Sequence, residues 1–259
     1  MGTVSKALSL LNIFSHDQNE IGLSDMARLA RLNKATTYRL LTELQAEGFV
    51  EQVGSGRAYR LGSTVLRLAA LREAHVPLAS IARNLVRKLS DETSETAHMS
   101  LVQGHCLNAL TYAYSSAHAT KVMMEDAEVL AFHATSSGLA ILAFMPESFV
   151  SAILSAPMSA ITPATITDPQ KLRTLFDEIR HSGLAESIGG FEADVHSNSA
   201  PVFGPDGLPI GAVAVAAPEA RVTPDTRVSI REAVKRTAAQ LTTETGGFMP
   251  ATYPLEAAA

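Results

Sequence analysis

Apolar residues recur at helical spacing from the start of the chain, where Val4, Ala7, Leu8, Leu11 and Phe14 line one face of a first helix. After a polar stretch from His16 to Gly22, Ser24 is placed to cap a short second helix through Ala30. A third helix is predicted from about Lys34 to Glu47, with Thr37, Leu40, Leu41 and Leu44 on its apolar face. Gly48 stands where a C-terminal glycine stop belongs. Phe49–Val53 and Arg57–Leu61 alternate around Gly54-Ser55-Gly56, which predicts a short β-hairpin.

Residues 63–76 are helical in pattern and end at Pro77, as a linker helix would. A helix from Pro77 to Asp91 then sets Leu78, Ile81, Leu85 and Leu89 along one face. Beyond it the pattern is mixed. Thr96–Gln103 and Leu107–Tyr114 read as paired strands, and Val129–His133 as another. Ser136–Phe144 reads as a buried helix and Pro169–Ser182 as an amphipathic one. Pro201–Phe203 and Ile210–Ala217 flank the turn signal Gly204-Pro205-Asp206-Gly207, and Thr223–Thr242 closes the pattern as a helix. Residues 246–259 have no periodicity and are expected to be a disordered tail. The fold class is therefore α/β with two domains: a winged helix-turn-helix over 1–62, a linker helix over 63–76 and an α/β domain over 77–245.

Composition fits this division. The chain has 259 residues, 46% hydrophobic and 18% charged, enough for two cores and unlike a disordered protein. No run of 18 apolar residues and no basic-then-apolar leader is present, so a cytoplasmic protein with no membrane partner is expected. Cys106 is the only cysteine, which excludes an intramolecular disulfide and a thiolate-rich zinc site. The net charge of −5 counts against nucleic-acid binding until its distribution is considered. Residues 1–75 carry nine Lys/Arg against seven Asp/Glu, while the remainder carries twelve against nineteen.

That mild asymmetry gives the third helix its interest. Opposite its apolar face lie Ala35, Arg39, Thr42 and Ala46, flanked by Thr36 and Tyr38. Small residues let a helix approach base edges, and Arg39 is long enough to engage a guanine through two hydrogen bonds. Thr36 and Thr42 suit phosphate or base-edge contacts, Lys34 lies at the helix start, and Arg57 is a wing candidate. A three-helix unit with a hairpin also occurs as a protein-interaction module, and the residues alone leave that alternative open.

The segment Leu32-Asn33-Lys34-Ala35-Thr36-Thr37-Tyr38-Arg39-Leu40-Leu41 resembles the recognition-helix region of the IclR family of bacterial regulators. Gly48-Phe49-Val50 and Tyr59-Arg60-Leu61-Gly62 resemble its wing. The similarity continues through His133-Ala134-Thr135 with Gly138, Ile179–Leu184 and Ala200-Pro201-Val202-Phe203, from Val4 to about Leu241. The resemblance implies a double-stranded DNA operator, a GAF-like α/β effector-binding domain and a homodimer or homotetramer, with no cofactor. It implies a ligand-responsive regulator, a repressor of a catabolic operon being the expectation. The family usually has glycine where Arg31 stands, so a left-handed turn there would carry strain of roughly 1–2 kcal/mol.

The same resemblance maps an effector signature onto residues 183–204, with Ser187 and Ser197 at two of its polar positions. The chain departs from it at Gly190, Asn198 and Gly204. Two ligand-contacting serines of some relatives correspond to Ala214 and Ala216, which makes that wall less polar. An unpaired polar ligand group there would cost about 1–3 kcal/mol, which favours an aromatic or partly apolar carboxylate. Gly138 and Asn198 join the expected effector site, and Met123, Met124, Phe132 and Leu139 are candidates for its apolar side. No histidine falls in a metal-ligand spacing, so no metal is expected, and His133 reads as a structural hydrogen-bonding residue. Ser136-Ser137-Gly138, and Glu192 and Asp194 beside His196, are the only hints of an enzyme. Gly-x-Ser-x-Gly is absent, and no catalytic residue is assigned.

Overall fold

The computed structural model describes residues 2–14, 18–54, 58–75, 78–124 and 129–254. Two compact units divide the chain, Met1–Pro77 and Leu78–Ala259.

In the first unit, α1 (Thr3–Leu11), α2 (Leu23–Leu29) and α3 (Lys34–Ala46) pack around Leu10, Met26, Leu40, Leu41 and Leu44. Thr37, Leu40, Leu41 and Leu44 are the buried residues of α3, the stripe that the period of the sequence predicts. Asn33 caps α3 by accepting a hydrogen bond from the Thr36 N–H at 2.8 Å. At the other end Gly48 takes φ +71°, which lets Phe49 N–H return to Leu44 O at 2.8 Å. Ser24 does not cap α2. That helix begins one residue earlier, at Leu23, behind Gly22 and without a side-chain cap. Arg31 is left-handed at φ +53°, so the strained turn before α3 is present.

The wing is a three-stranded antiparallel sheet in the order β1 (Ile21–Gly22), β3 (Ala58–Leu61), β2 (Val50–Val53). β1 is too short to leave an alternating pattern, which is why the sequence shows only the hairpin. The expected hairpin tip, residues 55–57, lies outside the described residues. α4 (Ser63–His75) follows.

The second unit is built on a six-stranded antiparallel sheet, and α5 (Leu78–Thr93) opens it. The strands are β4 (Thr96–Gln103), β5 (Cys106–Ala113), β6 (Val129–Leu130), β7 (Ala185–Ile188), β8 (Val195–Phe203) and β9 (Pro209–Pro218). Their order is β6-β5-β4-β9-β8-β7. Alternate residues of each strand face opposite layers. Ala97, Met99, Val213 and Val215 pack with α5 and with α9 (Pro224–Glu244). The other face is covered by α6 (Ser136–Phe144), α7 (Glu147–Leu154) and α8 (Pro169–Ser182). α6 and α8 have the bounds that the sequence predicts, whereas β7 and α7 lacked a distinct pattern. The third predicted strand is shorter than expected, because the chain turns at Ala131 towards the cap of α6.

The expected disordered tail needs correction for residues 246–254; residues 255–259 lie outside the description. Tyr253 is buried, donates its hydroxyl to Gly183 O at 2.9 Å, and meets Phe203 and Phe144 at ring distances of 5.4 Å. One aromatic ring is enough to dock a segment with no periodicity, since it buries a large area for little side-chain entropy. Tyr253→Ala should therefore destabilise the protein by about 3 kcal/mol. A lower denaturant midpoint checks this, and an unchanged midpoint would show that the tail contributes nothing.

Candidate functional site

The exposed side of α3 presents Lys34, Ala35, Tyr38, Arg39 and Thr42, with Thr36 half-buried beside the cap. Burial of Thr37, Leu40, Leu41 and Leu44 fixes the roll of the helix, so these six form one surface. The Thr42 hydroxyl donates to Tyr38 O at 2.9 Å, while no resolved ion pair diverts Lys34 or Arg39. Arg57 falls outside the described residues.

In the second unit a cavity of about 70 Å³ opens between the sheet and the start of α6. Strand register sets its floor. Ser187, Ser197 and Ala216 are paired across β7, β8 and β9 and so share one face. One row further along, His98 pairs with Ala214, and Ala214 with Ser199. His98 reaches the cavity; Ala214 stays beneath it, fully buried.

The roof is the first turn of α6, with Thr135, Ser136 and Ser137 on the cavity. Thr135 caps the helix, accepting from Gly138 N–H at 3.1 Å and donating to Ala131 O at 2.9 Å. An α-helix leaves its first N–H groups without intrahelical partners, so this turn directs a positive dipole end towards the cavity.

Two wall segments are pinned from outside. Residues 120–124 hang from three side chains: Arg221 to Thr120 O at 3.1 Å, Thr96 to Val122 O at 2.9 Å, and the Tyr114 hydroxyl to Met124 N and O. Arg221 is itself held by both oxygens of Glu95 at 2.7 Å. Opposite, Thr162 and Thr165 donate to Gly189 O and Gly190 O at 2.5 and 2.7 Å, fixing the segment that carries Gly190, Phe191 and Glu192. Ser187 donates to Ala134 O at 3.0 Å, joining floor to roof.

Of the ten residues expected to bind an effector, Met123, Met124, Ser187, Ser197 and Ala216 line the cavity. Phe132 and Leu139 are core residues among the helices of that layer. Gly138 lines nothing. A Cβ on it would lie 2.3 Å from the Phe132 backbone, so it serves the close approach of α6 to that segment. Asn198 pairs with Val215 and faces the α5–α9 layer, across the sheet from the cavity. Ala214 supports His98 from below. Strand alternation explains Asn198, since the neighbour of a lining residue points away from it, whereas Ala214 shares the cavity's face one row beyond Ala216.

The sequence did not single out His98, Ser136, Ser137, Phe191 or Glu192 as ligand contacts. His98 had a legible signal: a histidine in an otherwise buried strand, with Thr96 and Ser100 two residues either side. Its Nε2 lies 3.3 Å from Ser137 Oγ, and burial pushes the imidazole pKa down to about 4. His133 instead bonds Ser159 O at 2.9 Å, as a structural residue would. Beside the floor, burial would raise the Glu186 pKa. Hydrogen bonds from His196 and Arg227 outweigh this and hold it at about 2.

Residues 70–243 match the bacterial transcriptional regulator IclR C-terminal family, and residues 3–54 match the IclR helix-turn-helix domain. The chain is similar to the transcriptional repressor IclR of Escherichia coli (strain K12), 26% identical over 250 residues, covering 95% of this chain and 90% of that one. It is also similar to the HTH-type transcriptional regulator KipR of Bacillus subtilis (strain 168), 28% identical over 247 residues, covering 94% and 97%. A crystal structure of an ICLR-type chain from Silicibacter sp. TM1040 is 58% identical, with a TM-score of 0.85, and the match covers 98% of this chain and 100% of that one.

The neutral His98 makes a pH prediction. A base whose folded pKa is lowered loses stability as pH falls, because only the unfolded chain takes up the proton. Between the ordinary value of 6.5 and about 4 the unfolding free energy should fall by up to roughly 3 kcal/mol. Glu186 acts in a separate window, from 4.5 down to about 2. Denaturant titrations at pH 7, 5.5 and 4.5 on wild type and His98→Gln test this; parallel profiles would remove His98 as the cause.

Proposed function

Because this chain belongs to the IclR family of bacterial transcriptional regulators, which are not enzymes, we propose that it represses a catabolic operon under the control of a small, partly apolar monocarboxylate. The first turn of α6, opening on a cavity lined with hydroxyl groups, carries the reading: the N–H groups that an α-helix leaves without intrahelical partners ahead of the capped Gly138, and the helix dipole, favour a carboxylate. Ser136 and Ser137 receive the acid group, and Ser197 completes the polar floor. Val122, Met124, Leu130 and Phe191 offer an apolar side to the ligand's body. Allowing roughly 10–15 Å³ for each water-sized group, the space suits about five to seven non-hydrogen atoms. An aromatic acid, the other expectation from the sequence, would have to displace Met123 and Met124 or project through the mouth.

On the DNA side, α3 enters the major groove with Arg39 on a guanine, Thr36, Tyr38 and Thr42 at its flanks, Ala35 close to the bases and Lys34 on a phosphate. Arg57 is assigned to the wing contact. One small module makes few phosphate contacts, so a homodimer or homotetramer on a pseudo-palindromic operator is the functional unit. Val4 and Leu8 on α1, with Leu66, Leu68 and Leu71 on α4, are exposed apolar side chains suited to that pairing. No helix among the described residues is long and apolar enough to cross a membrane, and we assign the protein to the cytoplasm with its DNA.

Fluorescence anisotropy with DNA from upstream of the protein's own gene, against an unrelated duplex, tests the reading. Arg39→Ala should weaken operator binding by roughly 1–3 kcal/mol and leave butyrate binding unchanged. Full operator affinity would take Arg39 off the reading face. Ser197→Leu should keep operator affinity and lose butyrate binding; retention of both would move the effector site elsewhere.

A further inference from the structure

One residue of the cavity carries a hydrogen-bonding group that the fold leaves unused. His98 is buried at 6% exposure in β4, between Thr96 and Ser100 on the same face. Thr96 holds the wall at Val122. The other two are under-satisfied: His98 Nδ1 and Ser100 Oγ are buried with no hydrogen-bond partner. Their cross-strand neighbours on β9 are Ala214 and Ala212, which offer no side-chain partner. A buried polar group left unpaired costs about 1–3 kcal/mol, and a hydrophobic residue here would avoid that cost. Of the two, only His98 lines the cavity, and there the missing partner can arrive with a ligand.

Charge narrows the partner. Among the described residues the cavity is lined by neither lysine nor arginine, and the ionisable groups on it are His98 and the exposed Glu192. The low pKa of His98 keeps its ring uncharged at neutral pH. A single carboxylate has the α6 terminus to meet it, but a second would be buried without a counter-charge and near Glu192. Distance narrows it further. Nε2 lies 3.3 Å from Ser137 Oγ, so the imidazole adjoins the turn that takes the acid group.

We propose that His98 is the specificity-determining residue of this cavity and reads a hydroxyl on the carbon next to the carboxylate, making the effector class a small 2-hydroxy monocarboxylate and excluding dicarboxylates. The inference rests on the proposed carboxylate site at α6. A hydroxyl both donates and accepts, so it satisfies either tautomer of the neutral ring. It also suits the space, which takes few atoms beyond an acid, a hydroxyl and a short alkyl chain.

Calorimetry on the full chain with 2-hydroxybutyrate, butyrate and malate tests this. Wild type should bind 2-hydroxybutyrate about tenfold or more tighter than butyrate, and malate more weakly than either. In His98→Leu the preference, read as the ratio of the two affinities, should shrink to about twofold or less. Wild-type protein labelled with 15N-histidine gives a second readout: the His98 ring resonances should shift with 2-hydroxybutyrate and hold with butyrate. Equal binding of the two monocarboxylates, or a preference that survives His98→Leu, overturns the His98 assignment and leaves the carboxylate site standing. Binding by none of the three acids overturns the carboxylate site, and the role of His98 with it.

Discussion

The close approach of α6 to the backbone at Phe132 is the constraint on which the second unit depends. Gly138 permits it, for any side chain there would collide with main-chain atoms that have nowhere to move. With the helix seated, Thr135 closes its cap, Ser136 and Ser137 sit over the strand floor, and Leu139 to Ala143 fill the layer beneath α8. A glycine that lines no part of the cavity thus decides where the first turn of α6 sits over it. Its place beside lining residues in the sequence made it look like a contact, although its effect is exerted through the backbone.

The two units use one device in different ways. In the first, four buried residues of α3 set its roll and so choose which side chains face outward. In the second, strand alternation does the same for the floor: Ser197 faces the cavity because Asn198 faces α9. In both, the candidate functional residues are placed by buried neighbours that pack and do nothing else. Arg31 shows the tolerance of such scaffolds. It occupies a left-handed turn that glycine fills more cheaply, and the packed helices on either side hold it there.

This explains what could be read from the sequence. A helix face of period 3.6 was legible in α3, α5 and α8 because these helices bury one side, and paired runs around turn residues marked β4–β5 and β8–β9. The α3 surface followed directly from its core stripe. The cavity was half legible. Ser187, Ser197 and Ala216 came from resemblance, whereas His98 becomes a lining residue only when β4 pairs with β9, a contact across more than a hundred residues. No local pattern encodes that pairing. Tyr253 was hidden for the same reason, its partners lying at Phe144, Gly183 and Phe203.

The pinned wall has a kinetic consequence. Residues 120–124 are tied at Thr120, Val122 and Met124 to three separate elements, so their backbone is a poor hinge. Traffic through this side of the mouth falls to side chains, above all the exposed Met123, whose rotamers exchange within nanoseconds. A mouth gated by rotamers imposes no slow opening step, so occupancy would relax at the ligand's own association and dissociation rates. On the proposed function, such a receptor would keep no record of past concentrations, and any delay in the response would arise further along, at the DNA.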